Sequence, residues 1–343
     1  MKRNIRIGFA DFWDGFDVND NFFVKLLSRR YNVEVSDSPD YLFYSVFGSE
    51  HLRYDCVSIF YTGENQSPDF NLCDYALGFE YISFGDRYFR LPNYILYPGD
   101  YIAMEKKHIH SYEELTSGRD GFCSFVYSNN NASPERSVFF DLLSEYKLVS
   151  SGGRFRNNVG GPVADKNAFQ RKYKFSITFE NISHEGYTTE KLVQAFAAGS
   201  VPIYWGDPRV AEVFNSKAFI NCHDYSSLEE VVDVVKKIDG DDDLYRFMQA
   251  QPALKDVSFD YNRQLEALLD FLSVIFDQPL DKAGRYSRQY WCARYRANAI
   301  SRERAFSHSL KGVAERIYKK TLWQWRNSSI ILWKLDRIIK RKK

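Results

Sequence analysis

No run of ~18 apolar residues occurs anywhere in the chain, so no segment is long enough to cross a bilayer as a helix. Cysteine is scarce: five residues, an odd number without C-x-x-C spacing, argue against a disulfide framework and suit a reducing compartment. Net charge is nearly absent as well, since 46 Lys and Arg against 45 Asp and Glu leave +1. The start Met1-Lys2-Arg3-Asn4 runs directly into the strand pattern Ile5 to Phe9, so no export signal is expected. What is present is enough apolar material for two cored domains: 343 residues, 44% hydrophobic. The 24 Tyr and 28 Phe are mainly core residues, with a weak hint of surfaces that stack on sugars.

The balanced charge hides a segregation. From Arg285 to Lys343 there are 17 Lys and Arg against 3 acidic residues, a net of +14, which leaves −13 on the rest of the chain. Within that tail, Leu310, Val313, Ile317, Ile331, Leu335 and Ile338 recur at helical spacing among the basic residues, with Trp323, Trp325 and Trp333 at interfacial-type positions. Three readings follow: a peripheral anchor on an anionic membrane surface, packing against the chain's own acidic body or a second copy, and nucleic-acid binding. No nucleic-acid motif supports the last, and none is expected as a partner.

The richest stretch is Lys174 to Arg209, which reads as strand, polar loop, capped helix and second strand. Leu192, Val193, Phe196 and Ala197 give the helical period, with Thr188 or Thr189 as N-cap and Gly199 as a left-handed stop. Val201 to Trp205 is an apolar returning strand, and Arg209 to Phe214 reads as a further helix. Lys191 falls in the first helical turn, where the macrodipole favours an anion. A nucleotide diphosphate shared between the lysine and the helix start would explain it. Glu190 would then suit a vicinal diol such as a ribose. The plain alternative is a capped surface helix with a solvated Glu-Lys pair.

These residues carry a resemblance. Phe179-Glu180-Asn181, Tyr187-Thr188-Thr189-Glu190-Lys191 and Val201-Pro202-Ile203-Tyr204-Trp205-Gly206 resemble the signature of α-1,3-fucosyltransferases of family GT10, bacterial Lewis-antigen type. The likeness extends through Ser151-Gly152-Gly153-Arg154-Phe155-Arg156-Asn157, Gly121 to Asn129, Phe60-Tyr61-Thr62-Gly63-Glu64-Asn65 and Phe219 to Tyr225, covering roughly residues 5 to 275. It implies a GT-B α/β fold, two Rossmann-like domains facing a cleft, and GDP-fucose as donor.

By the same resemblance, Arg156 contacts the donor diphosphate and Lys191 supports that charge. Tyr187 reaches phosphate, Asn181 lines the donor site, Glu190 faces ribose and sugar hydroxyls, and Glu64 is the general base. The resemblance also implies an N-acetyllactosamine-type acceptor, a Lewis x-like product and no required cofactor, with divalent metal as a possible stimulant. A cytoplasmic chain lying on the inner face of a bacterial membrane is the expected location.

Physical reasoning points the same way. Inverting transfer needs a carboxylate to deprotonate the acceptor hydroxyl and cations to stabilise the departing diphosphate. Glu64 follows the strand pattern Cys56 to Tyr61, where a loop at a strand's carboxyl end projects into a cleft. A glutamate in an ordinary turn, and for Arg156 a solvated basic loop, are the bland alternatives; Gly152-Gly153 indicates that backbone approaches something closely there. The run Asp239-Gly240-Asp241-Asp242-Asp243 reads as a capping loop rather than a metal loop, His108-x-His110 lacks a third ligand, and His184 takes no assigned role.

The expected division is 1–119 for an acceptor-side domain, 120–276 for the donor domain and 277–343 for the basic tail. Two alternatives stay open: a membrane-associated glycan-binding protein without transfer, and a GT-B transferase using another nucleotide sugar.

Overall fold

Unbroken apolar runs between loops build two wholly parallel sheets in the computed structural model, which describes residues 2–109, 111, 113, 118–128, 131–256, 260–309 and 312. The first sheet holds β1 (Arg3–Ala10), β2 (Tyr31–Val35), β3 (Tyr41–Tyr44), β4 (Val57–Tyr61), β5 (Tyr75–Gly78) and β6 (Tyr88–Arg90) in the order β2-β1-β3-β4-β5-β6. The second holds β7 (Gly121–Phe125), β8 (Val149–Ser151), β9 (Tyr173–Phe179), β10 (Val201–Trp205) and β11 (Ile220–Asn221) in the order β11-β10-β9-β7-β8. Each order reverses once, between β1 and β3 and between β7 and β9. Loops leaving such a reversal diverge and open a crevice at the strands' carboxyl ends. This is the GT-B arrangement of two Rossmann-like halves.

Helices cover both sheets: α1 (Phe22–Leu27), α2 (Pro98–Glu105), α3 (Glu135–Tyr146), α4 (Lys166–Gln170), α5 (Glu190–Ala197), α6 (Leu228–Asp239), α7 (Asp242–Ala250) and α8 (Tyr261–Phe276). Two of them cross the expected division. Asp100 on α2 accepts from Asn167 at 2.6 Å and from Gln194 on α5 at 3.0 Å, so this helix leans on the donor half. Conversely α8 returns to the first sheet, where Phe276 packs 4.6 Å from Tyr41 and Arg30 bonds Glu266 at 2.8 Å. One apolar cluster therefore contains Ile7, Leu192, Phe196 and Leu272 together. Truncating Leu272, fully buried in it, would cost roughly 2–5 kcal/mol.

The tail begins as part of the body. After α9 (Leu280–Ala283), Arg288 bonds the fully buried Asp74 at 2.9 Å, and α10 (Tyr290–His308) hangs from Arg296, which donates to Leu52 O at 3.0 Å. Packing on the acidic body thus holds for the start of the tail. The amphipathic pattern from Leu310 onward and the His108-x-His110 side chains lie outside the described residues. Among described residues no helix is long and apolar enough to cross a membrane.

One local expectation changes. Arg209 to Phe214 forms only a 3-10 turn, Val210–Glu212, because Asp207 spends its carboxylate on the Arg209 N–H at 2.8 Å and holds the chain in a tight turn. The short strands β5, β6 and β11 carry too few residues to give a period in the sequence. The acidic run behaves as a capping loop: Asp241 caps α7 by accepting from Leu244 N at 2.9 Å, and Asp239 pairs with Lys174 at 2.9 Å.

Candidate active site

The donor loop leaves β9 at Glu180 and enters α5 at Glu190. Glu180 is fully buried, and its carboxylate accepts from Thr189 N at 2.8 Å, from the Thr189 hydroxyl and from Lys191 Nζ at 2.9 Å. A carboxylate at a helix start is where the macrodipole wants it. Thr189 is the N-cap residue, yet its hydroxyl serves Glu180 rather than the helix. Gly199 has φ 71° and ends the turn after α5, as its type requires.

Lys191 consequently has a protein anion of its own, with Glu190 3.6 Å away on its other side. Burial alone would lower its pKa, but Glu180 and Glu190 outweigh it and hold the ammonium protonated well above the ordinary lysine value. The misplaced lysine therefore does not by itself demand a ligand. Burial also disfavours ionised Glu190, and Lys191 with Lys166 reverses that, keeping its pKa below the usual range.

Glu64 lies three residues past the end of β4, partly open to water and within electrostatic reach of Lys191. Its N–H donates to the Thr62 hydroxyl at 2.9 Å. Dehydration by the cleft walls raises the pKa of its carboxyl; Lys191 opposes the rise, while Glu190 and Glu180 add to it. Two contacts tie this loop to the donor half. Asn65 Oδ1 meets His184 Nδ1 at 2.5 Å, and Asn93, which accepts from Tyr61 at 3.0 Å, donates to Glu190 at 3.3 Å. Gly186, at φ 82°, lies so close to Phe79 that a Cβ would stand 2.3 Å from that carbonyl oxygen.

The remaining expected residues divide. Tyr187 is buried against Phe79 with ring centroids 5.1 Å apart, and Glu180, Lys191, Glu64 and Glu190 all act on its hydroxyl, so it belongs to this cluster. Asn181 sits at the β7/β9 reversal, where its side-chain oxygen accepts from Arg136 at 2.7 Å. Arg156 is not in the cluster's bonding network: it forms a two-pronged pair with Asp141 on α3 and lies over Phe140 at 5.1 Å. Its φ of 54° is strained for an arginine. The close approach that Gly152-Gly153 signalled is internal, because a Cβ on Gly153 would lie 1.9 Å from Tyr127 O.

Arg136 is the cation that sequence reasoning missed. It is 2% exposed, lies over Tyr127 at 4.1 Å, donates to Phe179 O at 3.2 Å, and its Nε has no partner. No carboxylate pairs with it among the described residues. A buried guanidinium without a counter-ion is costly unless an anion completes it. The signal was available: like Lys191, it is a cation in the first turn of a helix. Glu180 and Asn65 stood in the motifs that carry the resemblance but took no role there, and Asn93 gave no signal. Among described residues no group of three or more His, Cys, Asp or Glu could hold a metal ion.

The model of the α-(1,3)-fucosyltransferase FucT N-terminal domain matches residues 7–97, and that of the glycosyltransferase family 10 (fucosyltransferase) C-terminal domain matches 116–251. A solved α1,3-fucosyltransferase is 30% identical, with 84% of this chain and 93% of that chain covered at a TM-score of 0.73. The chain belongs to glycosyltransferase family 10. This family 10 chain is also similar to a structure of α1,3-fucosyltransferase with GDP-fucose, at 29% identity, TM-score 0.70, covering 84% of this chain and 94% of that one. The α-(1,3)-fucosyltransferase FucT of Helicobacter pylori is 33% identical over 80% of this chain. The family 10 chain spans 66% of that relative's length.

Proposed function

We propose that this chain transfers L-fucose from GDP-fucose to the 3-hydroxyl of N-acetylglucosamine in an N-acetyllactosamine-type acceptor, with inversion at the anomeric carbon. The observation that carries this reading is that Glu64, a carboxylate with a raised pKa, lies within electrostatic reach of Lys191, while Arg136 is buried at the β7/β9 reversal without a carboxylate partner among the described residues. Family membership and the similarity to a fucosyltransferase holding GDP-fucose support the donor. In the reaction the acceptor oxygen bonds to C1 of fucose as the C1–O bond to GDP breaks. The hydroxyl proton passes to Glu64, and the new charge on the diphosphate falls to Arg136 and Lys191.

Raising the pKa of a carboxylate makes it a stronger base. Glu190 is placed for ribose or sugar hydroxyls, Asn181 orients Arg136, and Tyr187 closes the floor between Glu180 and Phe79. Arg156 braces α3 through Asp141 in this reading. A glycan-binding role leaves a buried cation at the β7/β9 reversal without a purpose; another nucleotide sugar would use the same cation and base, and the similarity to a fucosyltransferase with GDP-fucose is what favours GDP-fucose over it.

The test is Glu64→Gln. Transfer from GDP-fucose to N-acetyllactosamine should fall by ~10²–10⁴ while GDP affinity by calorimetry stays within about twofold. In the wild type, kcat should fall as acid protonates Glu64, with the limb above the ordinary glutamate range. Full turnover by the variant sinks the role of Glu64.

A further inference from the structure

The first sheet reverses its order between β1 and β3, and the loop leaving β1 there is built with unusual care. Asp11 has φ 59°, a left-handed conformation that a non-glycine residue adopts at a cost. Its buried carboxylate accepts from Glu50 N and His51 N, both at 2.9 Å, and meets His51 Nδ1 at 2.6 Å. Phe47 N–H donates to Asp11 O at 2.9 Å, fastening the β1 and β3 loops together.

This bracing holds two large rings in water. Trp13 is 44% exposed and Phe47 is 42% exposed. Trp13 rests against Phe12 and Phe16, and Phe12 lies stacked on Phe16 at 4.1 Å and also faces Tyr61 at 6.4 Å. Tyr61 ends β4, three residues before Glu64. Apolar rings kept exposed by a strained, hydrogen-bonded loop beside a reaction centre mark a ligand surface rather than a packing defect.

We propose that Trp13 and Phe47 form an aromatic shelf for one pyranose ring of the oligosaccharide acceptor, seated next to the sugar whose hydroxyl Glu64 deprotonates. The proposal rests on the transferase reading and names the acceptor side of that same cleft. A pyranose presents an axial C–H face that is weakly positive, and the negative face of an aromatic ring complements it while the sugar hydroxyls stay hydrated at the rim. The charge of the loop selects against other occupants: the exposed Asp14 and Asp17 follow Trp13 and repel an anionic lipid surface or a nucleic acid, while Asp20 is paired with Lys25. A neutral sugar meets no such penalty.

The experiment measures initial rates of the full chain and its Trp13→Ala and Trp13→Phe variants, varying lactose, N-acetyllactosamine and GDP-fucose separately. Trp13→Ala should raise the acceptor KM about tenfold and leave the GDP-fucose KM and GDP affinity unchanged. Trp13→Phe, which keeps a ring, should recover most of the loss. Phe47→Ala should act in the same direction, and N-acetyllactosamine should quench tryptophan fluorescence in the wild type but not in Trp13→Ala. Unchanged acceptor KM and quenching in a normally melting Trp13→Ala protein overturn the shelf while leaving the transferase reading intact. Equal loss of donor and acceptor binding overturns it too. A change in sedimentation alone assigns the surface to self-association and also overturns the proposal. A wild type that transfers no fucose removes the underlying reading instead.

Discussion

Among individual residues, the two arginines near the donor site differ by what already neutralises them. Arg156 has Asp141, whereas Arg136 is buried with an unpartnered Nε. Calorimetry with GDP should therefore separate them. Arg136→Lys, which keeps the charge but loses the planar fork, should weaken GDP binding by at least tenfold, a loss of about 1.4 kcal/mol. Arg156→Ala should change GDP affinity by less than about threefold and cost no more than ~1 kcal/mol of stability, since its pair with Asp141 is largely exposed. Equal effects would return the diphosphate to Arg156. The rule that exposed Lys191, a cation in the first turn of a helix, applied equally to Arg136, but only the fold shows which of the two lacks a counter-ion.

At the level of elements, the long ones were legible because a buried parallel strand writes an apolar run and an amphipathic helix writes its period. The returning strand Val201–Trp205 matches the sequence reading at both ends. Asp207 redirected the Arg209 segment through an Asx turn, its carboxylate taking the backbone N–H two residues on and outweighing the helical pattern that follows. The bonds Asn65 to His184 and Asn93 to Glu190 join residues 119 and 97 positions apart, and no local pattern contains them. The 3-10 turn Lys106–Ile109 holds another such feature. Lys107 is buried and donates to Met248 O and Gln251 O, both at 3.4 Å, at the carboxyl end of α7. Burial first, and Arg119 next, push its pKa down to about 7. Because the folded protein binds that proton less tightly than the unfolded chain, the cost is complete below pH 7 and is relieved as pH rises from 7 toward 10. Thermal melts should show Lys107→Met gaining on the wild type on the order of a few kcal/mol at pH 6, with the gap narrowing steadily as pH rises toward 10. A gap independent of pH would deny Lys107 a titrating role.

For the whole molecule, the two halves are bound by exchange: α2 leans on the donor half and α8 on the first sheet. The segment after α8 continues this exchange. Asp74 is 0% exposed and accepts from Ser58 N at 2.9 Å, Arg285 N at 2.7 Å and Arg288 at 2.9 Å. Ending the chain at Phe276 should leave that carboxylate buried with no cation, at a cost of roughly 3–5 kcal/mol, whereas ending it at Ser309 should not. Urea melts of the two shortened proteins measure the difference; equal midpoints would make the ion pair dispensable. There is a consequence in time as well as in energy. Asp74 and Arg288 are 214 residues apart, so a ribosome finishes every strand of the first sheet long before it makes the arginine that neutralises it. The half that is synthesised first is therefore the half that matures last, and its nascent form should remain open to proteases and chaperones until the carboxyl-terminal arginines emerge.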